Sequence, residues 1–177
     1  MKGSVIFMRD EGFLSRLIRW FTRSPVSHTA IVVNRTGKLV ILDIDSSPFR
    51  LDNKIRLRSL DSKLKKKKQP HAELYVPHAS KENVQEAIDS ILDYADTPYG
   101  IGKLLGLAIV MILRRFGIFI SNPLTRGIIC STVDRQYLLH LGFSEFDAWE
   151  ATDVTPADLY EQIRRSPRFT RVIYESD

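Results

Sequence analysis

The chain carries one cysteine, Cys130, in the run Gly127-Ile128-Ile129-Cys130-Ser131-Thr132-Val133, an apolar stretch that delivers a thiol onto the first turn of an expected helix. A helix N-terminus and nearby cations favour the thiolate, which is the species that attacks a carbonyl carbon. Such a nucleophile needs a base. The best candidate stands about a hundred residues upstream in Ser27-His28-Thr29-Ala30-Ile31-Val32-Val33, where a histidine opens a β-branched run that reads as a buried strand. A lone cysteine can equally be a small buried hydrophobe, and a histidine at a strand start can be purely structural.

A third residue, argued from geometry, separates these readings. The His28 strand is followed by Asn34-Arg35-Thr36-Gly37 and then by Lys38-Leu39-Val40-Ile41-Leu42-Asp43-Ile44-Asp45, a second strand-like run, so the pair reads as a hairpin. If Val33 pairs with Lys38 across a four-residue loop, Ile31 faces Val40 and His28 faces Asp43, and directly opposed residues point to one face. Asp43 would then hold the imidazole in one tautomer and stabilise its protonated form. A three-residue loop with a bulge at Gly37 shifts the register by one and turns Asp43 and Asp45 to the other face.

These candidates sit in a chain of ordinary globular composition. It has 177 residues, 44% hydrophobic and 27% charged, which excludes wholesale disorder and, at this length, is most simply one domain over residues 1–177. No internal repeat is present. A single cysteine forbids an internal disulfide, and no histidine or cysteine cluster has metal-ligand spacing, so neither a metal nor a cofactor is expected. The apolar stretch near the N-terminus is too short for a signal peptide, which points to the cytoplasm or the inner face of a membrane. The net charge is +5, much of it concentrated in Lys63-Leu64-Lys65-Lys66-Lys67-Lys68. That run reads as a solvated loop or as a contact for an anionic membrane surface. Nucleic acid is not expected as a partner, because no aromatic residues interleave with the lysines and no nucleic-acid-binding signature occurs.

Strands are predicted at Ser4 to Met8, across the hairpin, over Asn53 to Leu60, at Ala72 to Val76 and at Arg171 to Tyr174. Helices are predicted from Phe13 to Phe21, after Ser80 as cap, from Cys130 to Leu141 with Gly142 as stop, and after Thr155-Pro156. Asp96-Thr97-Pro98-Tyr99-Gly100 is a turn that opens the most apolar segment, Ile101 to Ile120. Lys103 and the Arg114-Arg115 pair argue against a membrane span there, since a charge at a helix centre costs about 2.5 to 3.5 kcal/mol on insertion scales. The segment reads as a buried helix, or alternatively as a monotopic element or a greasy lid at a membrane surface. The order of elements predicts an α+β fold, a mostly antiparallel sheet with helices on one side.

Gly3-Ser4-Val5-Ile6-Phe7, Ser27-His28-Thr29-Ala30-Ile31-Val32-Val33, Asp43, Pro98-Tyr99-Gly100, Ile129-Cys130-Ser131 and Thr155-Pro156-Ala157-Asp158-Leu159 together resemble the circularly permuted NlpC/P60 group of papain-like thiol hydrolases. The resemblance is to its YiiX/YaeF-like branch, related to the lecithin retinol acyltransferase family, and it spans nearly the whole chain. In the permuted group histidine precedes cysteine, as it does here. The resemblance implies Cys130 as nucleophile, His28 as base and a polar residue on the next strand as orienter. Relatives often carry glutamate or histidine at that third position, where this chain offers Asp43, or Asp45 in a different register. Tyr99 is a candidate for substrate contact or for a second oxyanion donor. The expected activity is hydrolysis or transfer of an acyl group held as an amide or ester, on a small-molecule, peptide or lipid substrate. Lipid at a membrane surface is favoured by Ile101 to Ile120 and by the lysine run. A cell-wall peptide amidase and a non-catalytic, basic, membrane-associated binding protein are the alternatives.

Overall fold

A computed structural model describes residues 1–9, 13–35, 37–44, 55–66, 71–94, 100–124, 128–148 and 154–175. Six antiparallel strands form one sheet: β1 (Val5–Met8), β2 (His28–Arg35), β3 (Lys38–Ile44), β4 (Ile55–Ser59), β5 (His71–Pro77) and β6 (Phe169–Glu175), in the spatial order β4-β3-β2-β1-β5-β6. The helices are α1 (Phe13–Thr22), α2 (Leu60–Lys66), α3 (Lys81–Leu92), α4 (Ile101–Arg115), α5 (Cys130–His140) and α6 (Pro156–Arg165). The fold is therefore α+β, with helices packed against an antiparallel sheet.

Strand alternation divides the buried side chains between two faces. Val5, Phe7, Ile31, Val33 and Tyr75 pack with α3, α5 and α6, and the fully buried Tyr137 and Phe146 lie in this larger core. Ile6, Met8, Val32, Ile41 and Leu74 form a second cluster with Leu60 and Leu64 of α2. The expectation that helices cover one side only is thus corrected: the two leucines of α2, one helical turn apart, close the far face of β1, β2 and β3. The segment from Lys63 to Lys66, read from sequence as part of a solvated loop, is helical for the same reason.

Local signals set the helix ends. Ser80 caps α3 by accepting a hydrogen bond from the Asn83 amide at 3.1 Å. Thr155 and Asp158 form a reciprocal capping box at the start of α6, with Pro156 at its first position. α5 is moored to the start of the sheet where the Tyr137 hydroxyl donates to the Gly3 carbonyl at 2.7 Å. Gly3 has φ +82°, and a Cβ there would overlap Val84 and the Tyr137 hydroxyl, so only glycine lets α3 and α5 approach β1 so closely.

The β2–β3 register differs from the expected one. Arg35 pairs with Lys38, Val33 with Val40 and Ile31 with Leu42, leaving two positions in the connection instead of four. The shift is two residues, and an even shift preserves facing. Asp43 therefore stays on the His28 side of the sheet, displaced diagonally along the strand.

Candidate active site

Cys130 is the first residue of α5. Ile129 before it is extended (φ −117°, ψ 161°) and offers no side-chain cap, while its carbonyl accepts from the Thr132 amide at 3.0 Å, so the helix opens with the Cys130 and Ser131 amides at its uncapped end. The junction is rigidly held. Ile129 is buried with Ile18 of α1 and Leu107 of α4, the Gly100 amide donates to the Ile128 carbonyl at 3.0 Å, and the Ser131 hydroxyl donates to the Val154 carbonyl at 2.7 Å. Lys103, buried in α4, donates to the Thr132 hydroxyl at 3.0 Å. The Cys130 side chain itself is half-buried.

His28 is the first residue of β2, at the end of the sheet where α5 begins. Its Nε2 donates to Asp43 Oδ1 at 2.7 Å, and Cys130 is close enough to act on the ring through charge and hydrogen bonding. Burial alone lowers the His28 pKa by stripping water from the cationic ring. The charge of Cys130 and the hydrogen bonds to Asp43 and Cys130 outweigh it and push the value up to about 10.

Asp43 is completely buried, which by itself favours the neutral acid. Its hydrogen bond to His28 and the charges of His28 and Lys63 instead hold it well below the usual carboxylate range. Lys63 of α2 donates to Asp43 Oδ2 at 2.5 Å, and Arg58 of β4 lies 3.8 Å from the same oxygen. Sequence reasoning missed Lys63, which was hidden in a lysine-rich run. The signal was its place three residues after Leu60 and one before Leu64, on the apolar side of a short helix.

Asp134 is a second residue that sequence reasoning missed. It lies one turn after Cys130 on α5, is buried, and accepts a hydrogen bond from the Thr29 hydroxyl at 2.5 Å. Burial pushes its pKa up to about 7, against smaller opposing effects of the Thr29 hydrogen bond and the positive charge of His28. The i, i+4 spacing from the cysteine was the available clue.

The structure thus brings Cys130, His28 and Asp43 together and adds Lys63, Asp134 and Thr29 around them. Tyr99 and Asp45 lie outside the described residues. The apolar segment from Ile101 forms α4, in which Lys103, Leu107 and Val110 are buried, and the side chains from Phe116 to Ile120 are exposed. Among the described residues no helix is long and apolar enough to cross a membrane.

No family model matches this sequence, and no curated protein is significantly similar to it. Among solved structures the chain is similar to the crystal structure of metalloprotein yiiX from Escherichia coli O157:H7, DUF1105. The TM-score is 0.56 and the identity 16%, over 97% of this chain and 96% of that one. The fold is YiiX-like. That neighbour is described as a metalloprotein. Among the described residues of this chain no three His, Cys, Asp or Glu side chains group as metal ligands, and both Asp43 oxygens are engaged by His28 and Lys63.

Proposed function

We propose that this chain is a cysteine-dependent acyl-transfer enzyme of the permuted NlpC/P60 type, a hydrolase or acyltransferase that opens an amide or ester through a thioester. The observation that carries the reading is the His28 ring held between Asp43 and Cys130 at the N-terminus of α5. Cys130 Sγ, its proton passed to His28, attacks the substrate carbonyl. The Cys130 amide, at the uncapped end of α5, is the proposed donor to the oxyanion. The tetrahedral adduct collapses as the C–N or C–O bond breaks, and the leaving group takes the His28 proton. Water or an acceptor alcohol or amine then gives up a proton to His28, attacks the thioester and frees the thiol.

Asp43 fixes the ring with Nε2 occupied, which leaves Nδ1 for proton exchange with sulfur, and it offsets the imidazolium charge. Lys63 acts one step further out, as a positioning residue that holds the Asp43 carboxylate. Cys130→Ala and His28→Ala are each expected to abolish turnover of a thioester-forming substrate, Cys130→Ala with a melting temperature close to the wild-type value and His28→Ala with a lower one but a cooperative unfolding transition, since Asp43 loses a buried partner. Full activity in either variant overturns the mechanism, and absence of turnover in the wild type leaves the non-catalytic binding protein as the better account.

A further inference from the structure

Exposed apolar side chains gather at one end of the molecule. Apart from Met1 and Ile173, every exposed large hydrophobic residue among those described lies in α1, α4 or the segment just after α4. Phe116 is 77% and Phe119 80% exposed, and Trp20 of α1 joins them through Arg115, whose guanidinium stacks 5.0 Å from the indole.

This end is built to hold its shape. α4 ends at Gly117 (φ +77°), where the Ile118 amide bonds the Leu113 carbonyl and the Gly117 amide bonds the Arg114 carbonyl, the pattern of a Schellman turn. The chain then returns to α4, where buried Asn122 donates to the Lys103 carbonyl at 2.9 Å and sits so close to Gly106 that a Cβ there would overlap it. The aromatic side chains are therefore presented outward on a fixed turn.

Beside the turn, a cleft of about 690 Å³ opens between the C-terminal ends of α1 and α4 and one side of α6. Arg23, Arg114, Arg115, Arg164 and Arg165 line it against only two acids, Asp158 and Glu161. Asp158 is committed to the α6 capping box, and Glu161 pairs with Arg164 and Arg165. Arg23 keeps a left-handed backbone (φ +51°) just past α1, where glycine is the favoured residue.

We propose that this end docks onto the headgroup layer of an anionic phospholipid bilayer, with Phe116 and its neighbours entering the acyl boundary and the arginines meeting lipid phosphates. Aromatic side chains beside arginines suit the water–lipid boundary, and guanidinium groups bind phosphate in bidentate fashion. A net cationic cleft next to an outward apolar turn complements an anionic leaflet on both counts. The surface is coupled to the thiol through packing: Met111, in the cleft wall, packs on Ile18, Leu107 and Ile129, and Ile129 precedes Cys130. Docking adds a location to the acyl-transfer reading without depending on it.

Flotation of the full chain with phosphatidylcholine vesicles, with and without phosphatidylglycerol, tests the proposal. The wild type is expected to float with the anionic vesicles only, and less as salt rises. Phe116→Ser/Phe119→Ser should weaken partition roughly tenfold, since both side chains are exposed and their loss spares the fold. Arg114→Gln/Arg115→Gln should weaken it by about fivefold per charge. Arg164→Gln/Arg165→Gln on the opposite wall should act in the same direction, which covers the case in which loss of the Arg115–Trp20 stacking disturbs folding. Cys130→Ala should float like the wild type, so failure of the catalytic reading is distinguishable from failure of docking. Absence of wild-type flotation with anionic vesicles, or unchanged flotation of Phe116→Ser/Phe119→Ser, overturns the proposal. Self-association abolished by the phenylalanine variant, without vesicle binding, also overturns it and assigns the surface to a second copy of the chain.

Discussion

Two buried carboxylates flank His28, and they are held in opposite ways. Asp43, on the α2 side of the sheet, has His28, Lys63 and Arg58 around it and is held ionised. Asp134, on the α5 side, has a hydrogen bond from the Thr29 hydroxyl and a smaller contribution from the charge of His28, so burial dominates and raises its pKa to about 7. Burial alone does not decide the charge of an acid; the cations placed against it do. The contrast separates the two sides of the site: an ionised carboxylate bound to the imidazole, and a carboxyl one helical turn from Cys130 whose burial favours the neutral acid.

The contrast is most severely broken at Asp43. Asp43→Asn leaves Lys63 buried without its anion and is expected to cost about 3 to 5 kcal/mol in denaturant unfolding. In the wild type the native pKa of Asp43 lies below the unfolded value, so its contribution is present above about pH 4 and is lost as pH falls. The variant should lack that acid limb. Lys63→Met is expected to cost less, about 1 to 3 kcal/mol, because Asp43 keeps its bond to His28. It should also slow turnover through looser positioning of the ring, whereas Lys63→Arg should restore much of the loss.

On the other side, Thr29→Val removes the hydroxyl donor from Asp134 and is expected to cost about 1 to 2 kcal/mol at pH 8. The last effect has the opposite sign. Asp134 has a native pKa above its unfolded value, so its contribution is fully present below about pH 4 and is lost as pH rises through about 7. Asp134→Asn should therefore be more stable than the wild type at pH 8, by about 1 to 2 kcal/mol, and gain little at pH 4. Urea midpoints at pH 4, 6 and 8 measure both slopes. An Asp134→Asn variant with the wild-type pH dependence would show that Asp134 carries no such burden.

What could be read from the sequence was what is encoded locally. Ser80, Thr155-Pro156 and Gly142 mark helix ends through their own hydrogen-bonding and backbone preferences, and the alternation of β1 and β2 was plain. Asn34-Arg35-Thr36-Gly37 did not fix the length of the hairpin connection, since asparagine and glycine suit both two- and four-residue loops. Asp43 nevertheless reached His28, because an even error in register leaves a side chain on its face. Lys63 could not be read from the lysine run, because its burial depends on an anion twenty residues away on another strand. Asp134 looked like an ordinary polar position on a helix until Thr29 was placed opposite it. The apolar stretch from Ile101 to Ile120, read as a buried helix, is helical only to Arg115, and its side chains from Phe116 onward are exposed. Its exposed end became distinct only once Asn122 and Gly106 showed the chain folding back.

The most direct test of the account is the rate of Cys130 alkylation by iodoacetamide from pH 4 to 10, in the wild type and in His28→Ala. Cys130 and Asp43 raise the His28 pKa, so the imidazolium accompanies the sulfur well above the ordinary histidine range. The account predicts rapid alkylation of the wild type near pH 5 and its loss in the variant. The same pH–rate curve for both proteins, rising near the ordinary thiol value of about 8.5, would contradict it.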